Sequence, residues 1–258
     1  MIENLILPDP LTILSITIVS ILISGIAFFK KVLDQGGSVL AFLVCFIIGT
    51  LGHWSWLLIM LIFVGSAFLA TRFAIVYKKA LGVEESDEGT RGGLNVISNG
   101  MVPAIIALLY SFGFLTPEQA LVGFTTSVAA AMADTMASEI GVLSPEPVMI
   151  TNLLEKVEPG TDGGISLEGT VASLLSSVSI SMLSFSAFLL LIEENHPFHS
   201  SFKIDYWYIS SFFGFFGCVI DSLLGATLEK KGILDNNGVN FISISLAVMF
   251  SLLFLPLF

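Results

Sequence analysis

Three groups of side chains in this chain have the chemistry to handle phosphate. Asp134 and Glu139 stand in Ala133-Asp134-Thr135-Met136-Ala137-Ser138-Glu139-Ile140-Gly141, and Asp221 stands in Gly217-Cys218-Val219-Ile220-Asp221-Ser222-Leu223-Leu224-Gly225, each at the end of a long apolar run. A carboxylate placed toward the middle of a membrane span costs about 2.5–3.5 kcal/mol on insertion scales, so these acids must face protein or water. A cation between them would offset that cost, and magnesium held by one or two carboxylates plus substrate phosphates is the usual arrangement in phosphoryl transfer. Gly160-Thr161-Asp162-Gly163-Gly164 is a glycine-rich turn whose backbone N–H groups can face a phosphate, with a helix start close behind it. Arg91, Asn95 and Asn99 fall at i, i+4 and i+8, one polar stripe if that segment is helical.

Each feature also has a plainer reading. The stripe could be an interfacial helix start with a snorkelling arginine, and the glycine turn could be an ordinary helix–helix loop. Gly214, Gly217, Asp221 and Gly225 share one helical face, where small residues let helices approach closely. Close packing explains the glycines but leaves an ionised aspartate expensive. Pro103 permits a bend that opens backbone carbonyls to a cavity. The serines at 173, 176, 177, 179, 181, 184 and 186 read as tight packing with back-bonding rather than chemistry. Phe212, Phe213, Phe215 and Phe216 serve equally as lipid-facing bulk, core or the lining of an apolar groove.

The elements that must position these groups follow from composition. With 55% hydrophobic and 12% charged residues and mean hydropathy +0.92, the 258-residue chain is an integral membrane protein. Counting uncharged stretches of about 20 residues predicts an all-α bundle of about eight spans in a single domain. They cover 11–29, 36–56, 54–70, 96–115, 119–133, 169–192, 206–220 and 239–258, the second and third sharing a turn at Gly52-His53 and the fifth and seventh running on past a buried carboxylate. The first is read as a retained span, because it lacks a basic flank and a cleavage site. Cys45 and Cys218 lie in apolar stretches and act as small hydrophobes. The net charge of −11 speaks against nucleic acid as a partner.

Eight spans also sort the basic residues. Nine of ten, Lys30, Lys31, Arg72, Lys78, Lys79, Arg91, Lys156, Lys230 and Lys231, fall on one side, and only Lys203 falls on the other. The positive-inside rule makes the first side cytoplasmic and places both termini outside. His53, His196 and His199 all fall on the outer side, so chemistry at the inner face must run without histidine. The inner face also receives the acidic stretch 84–88, just before Arg91.

With these residues in view the chain resembles the phytyl-phosphate kinase family of membrane proteins, which has archaeal, bacterial and animal relatives. The resemblance is carried by Asp134 to Gly141, by Lys156 to Gly164 with its terminal Gly-Thr-Asp-Gly-Gly, by Asp221-Ser222-Leu223-Leu224-Gly225-Ala226-Thr227, and by Asn236-Asn237-Gly238-Val239-Asn240. It covers roughly 91–240 and extends more distantly to the CTP-using polyprenol and phytol kinases. Ala133 stands where the family usually has glycine, and Asn95 where it often has glutamine; both keep size or hydrogen-bonding type. The plastid-targeting extension of the plant members is absent, which fits a prokaryotic or archaeal protein and leaves the prenyl chain unspecified.

The resemblance implies transfer of a phosphoryl group from a nucleoside triphosphate, CTP being the expected donor, to a prenyl monophosphate, giving a prenyl diphosphate. It implies that Asp134 and Asp221, helped by Glu139, hold Mg2+, and that Lys156 and Arg91 neutralise phosphates. The turn at 160–164 would cradle phosphate, with Asn95, Asn99, Ser138, Asn236, Asn237 and Asn240 orienting phosphate or nucleotide and the tail lying between helices in the inner leaflet. Expected partners are the prenyl phosphate, the nucleotide and the bilayer; the oligomeric state is open. The expected location is the cell membrane, with the site facing the cytoplasm. A lipid-phosphate transporter or flippase and a CDP-lipid-forming cytidylyltransferase are the alternatives.

Overall fold

The computed structural model of the protein describes residues 8–82, 90–201, 203 and 205–257. The acidic stretch 84–88 lies outside the described residues. Among the described residues eight helices are long and apolar enough to cross a membrane, as the hydrophobic runs predict. They are α1 (Pro10–Phe29), α2 (Gln35–Ile47, continued by a π-turn over Ile48–Gly52), α3 (Trp54–Arg72), α5 (Gly93–Ser111), α6 (Pro117–Gly141), α7 (Leu167–Leu191), α9 (Tyr206–Leu224, continued by a π-turn over Gly225–Glu229) and α10 (Asn236–Phe254). Two short helices, α4 (Ile75–Leu81) and α8 (Pro197–Ser200), lie in connections.

Local sequence sets where these helices begin. Asp34 accepts from the Gly37 N–H at 2.6 Å, Ser166 from the Gly169 N–H at 3.1 Å, and Asp235 from the Gly238 N–H at 2.9 Å, capping α2, α7 and α10. At α6, Thr116 and Gln119 form a reciprocal capping box. α5 runs unbroken through Pro103, whose missing N–H leaves the Asn99 carbonyl without its usual partner four residues on.

α6 is the central helix: 83% of its membrane window is buried, against at most 50% in any other span. Small side chains make this possible. A Cβ at Gly214 would lie 2.6 Å from Ala129 Cβ and one at Gly217 would lie 2.8 Å from Ala130 Cβ, so α9 packs almost backbone to backbone on α6. α6 and α9 run on past 133 and 220, as expected of the two spans that meet a carboxylate there, and carry Asp134 and Asp221 within the helices. Protein partners for those acids, described below, replace the water that would otherwise end the span.

The all-α reading omits one feature. Between α6 and α7, β1 (Val148–Met149) pairs antiparallel with both β2 (Asn152–Lys156) and β3 (Gly164–Ile165). This small sheet holds the glycine turn against the bundle end, with the Ile150 N–H bonded to the Gly163 carbonyl at 3.0 Å.

The opposite end of the bundle is different in kind. His53 and His196 stack edge to face with centroids 5.0 Å apart, and His53 Nε2 lies 3.4 Å from the Glu193 carboxylate. Burial pushes the His53 imidazole down to about 4, aided by His196 and opposed by Glu193. Burial lowers His196 as well. The histidines thus lie apart from the acids, as the span count predicts.

Candidate functional site

The end of α6, the end of α9 and the start of α10 meet at one face. Gly217 brings α9 against α6 one turn before Asp221, and the carboxyl groups of Asp134 and Asp221 become hydrogen-bonded neighbours. Ser243 on α10 donates to Asp221 Oδ2 at 2.9 Å. One turn earlier, Asn240 is buried, and its Oδ1 has no hydrogen-bond partner among the described residues. Two carboxylates and an orphaned amide oxygen are hard oxygen donors, and they fit a magnesium ion completed by substrate phosphates. Glu229, with Asp162 and Asp235 nearby, adds negative charge at the same end.

Arg91 faces this acidic wall. Its backbone is pinned to the α1–α2 connection: its N–H donates to the Val32 carbonyl at 2.9 Å, and its carbonyl accepts from Asp34 at 3.1 Å. Its guanidinium reaches Asn95 Oδ1 at 3.4 Å, Thr71 Oγ1 at 3.2 Å and Glu139 Oε1 at 3.6 Å. Glu139 is also held by Lys78, whose Nζ donates to Oε2 at 2.6 Å, and by the Thr71 hydroxyl. Lys78 is 1% exposed and gives a further bond to the Ala70 carbonyl at 3.0 Å. Taking two such charges out of water costs several kcal/mol each, repaid only by this kind of multiple pairing.

These walls enclose a cavity of about 350 Å3, within the range of small-molecule sites. The polar stripe, Asp134, Ser138, Glu139, the five residues of the glycine turn, Asp221, Asn236 and Asn240 all line it. The turn is seated by close approach: Gly163 has φ +73°, and its ideal Cβ would lie 2.4 Å from Ala226 Cβ, so only glycine fits there. Thr161 and Gly164 spend their N–H groups within the turn, on the carbonyls of Glu158 and Thr161. A cradle for phosphate would therefore fall to Gly160, Asp162 and Gly163. α5, α7 and α10 all direct their N-terminal first turns toward the cavity, placing three positive dipole ends there.

Three sequence expectations need correction. Lys156 does not line the cavity; it lies on the exposed β2, its Nζ 2.9 Å from Glu146, both side chains 67% exposed. The cation buried beside the site is Lys78, which its sequence position marked only as a topology signal. Glu139, expected to help Asp134 and Asp221 hold Mg2+, instead has its two oxygens taken by Lys78, Arg91 and Thr71; among the described residues no three His, Cys, Asp or Glu side chains group for a metal. Asn237 does not line the cavity and accepts from Ser98 Oγ at 3.5 Å. Sequence reasoning also passed over Glu229, two residues beyond the motif that runs from Asp221 to Thr227.

Comparison with known proteins decides the family. A model of the family described as integral membrane protein DUF92 matches residues 18–248. The chain belongs to that family. It is 35% identical over 208 residues to an uncharacterized membrane protein of Methanocaldococcus jannaschii, covering 81% of this chain and 78% of the relative. It is 28% identical over 266 residues to Protein PGR of Arabidopsis thaliana, covering 89% and 91%. It is 32% identical over 220 residues to the chloroplastic protein VTE6 of the same plant, covering 81% of this chain and 62% of the relative. No solved structure matches the chain. The family match contains every motif that lines the cavity.

Proposed function

We propose that this protein is a membrane kinase that transfers the γ-phosphoryl group of a nucleoside triphosphate, CTP being the expected donor, to a prenyl monophosphate. An oxygen of the acceptor phosphate attacks the γ-phosphorus, the bond from γ-phosphorus to the β-bridging oxygen breaks, and a nucleoside diphosphate leaves a prenyl diphosphate behind. The observation that carries this reading is the opposition of Arg91 to the Asp134–Asp221 pair across one cavity. That arrangement suits a reaction needing mainly positioning and charge neutralisation. The acceptor is already an anion at neutral pH, so the lack of histidine here is no obstacle.

Arg91 would hold the acceptor phosphate, its guanidinium aimed by Glu139, Thr71 and Asn95. Asp134, Asp221 and Asn240 would hold Mg2+, which when bound supplies charge neutralisation between donor phosphates and acids. The glycine turn and the first turns of α7 and α10 would orient the nucleotide phosphates, with Asn236 beside them. Nine of ten basic residues belong to the cavity side, which supports a cytoplasmic mouth, where nucleotide is available. The resemblance of the motifs to phytyl-phosphate kinases supports the same reaction class.

A transporter would need matching access from the other face, where the polar cluster is the small His53–Glu193–His196 group. A cytidylyltransferase would use the same residues but release pyrophosphate. The test is to incubate purified protein with Mg2+, a prenyl monophosphate and each of CTP, ATP, GTP and UTP. Prenyl diphosphate plus nucleoside diphosphate is expected. Folded protein that yields no product with any nucleotide refutes the assignment, and pyrophosphate with a CDP-lipid moves it to the alternative.

A further inference from the structure

Arg91, Asn95 and Asn99 line two cavities at once. On one side lies the polar cavity; on the other is a second, narrower pocket between α1, α2, α3 and the start of α5. Apart from these three residues its walls are apolar: Val44 and Cys45 on α2, and Met60, Phe63, Val64 and Ala67 on α3. Ser24 on α1 also borders it, but its hydroxyl is spent on the Ser20 carbonyl at 2.5 Å. The pocket measures about 80 Å3, several times the about 10–15 Å3 that a single water needs, so it suits one short branched hydrocarbon segment and not a whole tail.

We propose that this second pocket binds the phosphate-proximal isoprene unit of the acceptor lipid, with the phosphate seated at Arg91, Asn95 and Asn99 and the rest of the tail leaving past α1 into the bilayer. The proposal rests on the kinase reading and adds to it where the tail goes. A ligand spanning the shared wall must be anionic on one side and apolar on the other, which describes a prenyl monophosphate and not a nucleotide base with its polar edges. α1 suits an exit because only 22% of its membrane window is buried. The aromatic cluster of Phe212, Phe213 and Phe216 on α9 does not line this pocket, so the tail takes the α1–α3 side of the bundle.

The test uses purified full-length protein and a ten-carbon prenyl monophosphate carrying a diazirine in its first isoprene unit. Photolysis should label residues within 41–45 and 60–68, and unlabelled prenyl monophosphate should compete while phosphatidylglycerol and inorganic phosphate should not. Ala67→Leu, which fills the pocket, should abolish labelling and raise the KM for the acceptor about tenfold or more, the scale expected for one lost apolar subsite, with the nucleotide KM unmoved. Ala41→Phe, at a half-buried position, is the second variant should Ala67→Leu fold poorly. Labelling confined to α7 and α9, or competition by phosphatidylglycerol, overturns the proposal; if both variants misfold, the map on the unaltered protein still decides. Labelling at the expected residues without turnover would retire the kinase reading and leave the lipid pocket standing, whereas turnover with labelling elsewhere would do the reverse.

Discussion

Replacing Gly163 with alanine tests how the glycine turn serves the site. The new Cβ would sit 2.4 Å from Ala226 Cβ and 2.6 Å from the Ala226 Cα and N, where ordinary contact begins at 3.4 Å. Backbone atoms cannot swing aside, so the turn must retreat by about 1 Å, a misplacement that can cost about 100-fold in rate. That corresponds to about 2.7 kcal/mol of barrier. The positive φ of 73° adds about 1–2 kcal/mol of backbone strain to the folded state. Gly232 provides the control: its φ is +69°, yet nothing lies within 4 Å of its ideal Cβ. Gly232→Ala should therefore share the strain but not the collision. Prenyl diphosphate formation and thermal midpoint, measured for both variants in the same detergent, separate the two effects. Both should lose a similar 1–2 kcal/mol of stability from strain, while only Gly163→Ala should lose about 100-fold in turnover. Equal turnover in the two folded variants would refute the claim that the turn is held in register by its approach to α9.

Removing one member of a buried ion pair costs about 3–5 kcal/mol. Because Arg91 stays 3.6 Å from Glu139, Lys78→Met should fall near the low end, about 3 kcal/mol. Adding Glu139→Gln should recover much of the loss, and strictly additive losses in a denaturation cycle would contradict the pairing. Ser243→Ala removes the donor to Asp221 and should raise the half-saturating Mg2+ concentration for turnover about tenfold or more, the scale of outer-shell partners; an unchanged Mg2+ titration would argue against Asp221 as a ligand. At the other end, His53 titrates near 4 when folded against an ordinary value of 6.5. Between those values the unfolded chain binds a proton that the folded one does not, so stability falls as pH drops from 6.5 to 4, by about 3 kcal/mol in total. A thermal midpoint that stays flat across that window, or one equally steep in His53→Gln, would contradict the burial argument.

The sequence alone determined the eight spans and the set of motifs sharing a face, and it carries the expectation of their sidedness. These follow from local quantities: the length of uncharged runs against bilayer thickness, and the parity of the loops carrying lysine and arginine. The stripe at Arg91, Asn95 and Asn99 and the carboxylates of Asp134 and Asp221 were legible for the same reason, since helical spacing and the cost of burying a charge are local. The small sheet was less legible, because β1 and β3 are two residues each and β2 is exposed throughout, giving no alternation to read.

Only the tertiary structure decided which charges meet. Glu139 and Lys78 are 61 positions apart and come together because α4, entered at Ala74 with φ +54°, carries Lys78 to the end of α6. That contact makes Glu139 the anchor of Arg91 and Lys78, where its motif position suggested a metal ligand. Lys156 sits beside the glycine turn in sequence, yet pairing in the sheet points it outward to Glu146. Spacing along a chain sets which residues share a helix face; which faces then oppose one another depends on how small residues such as Gly214 and Gly217 let the helices close.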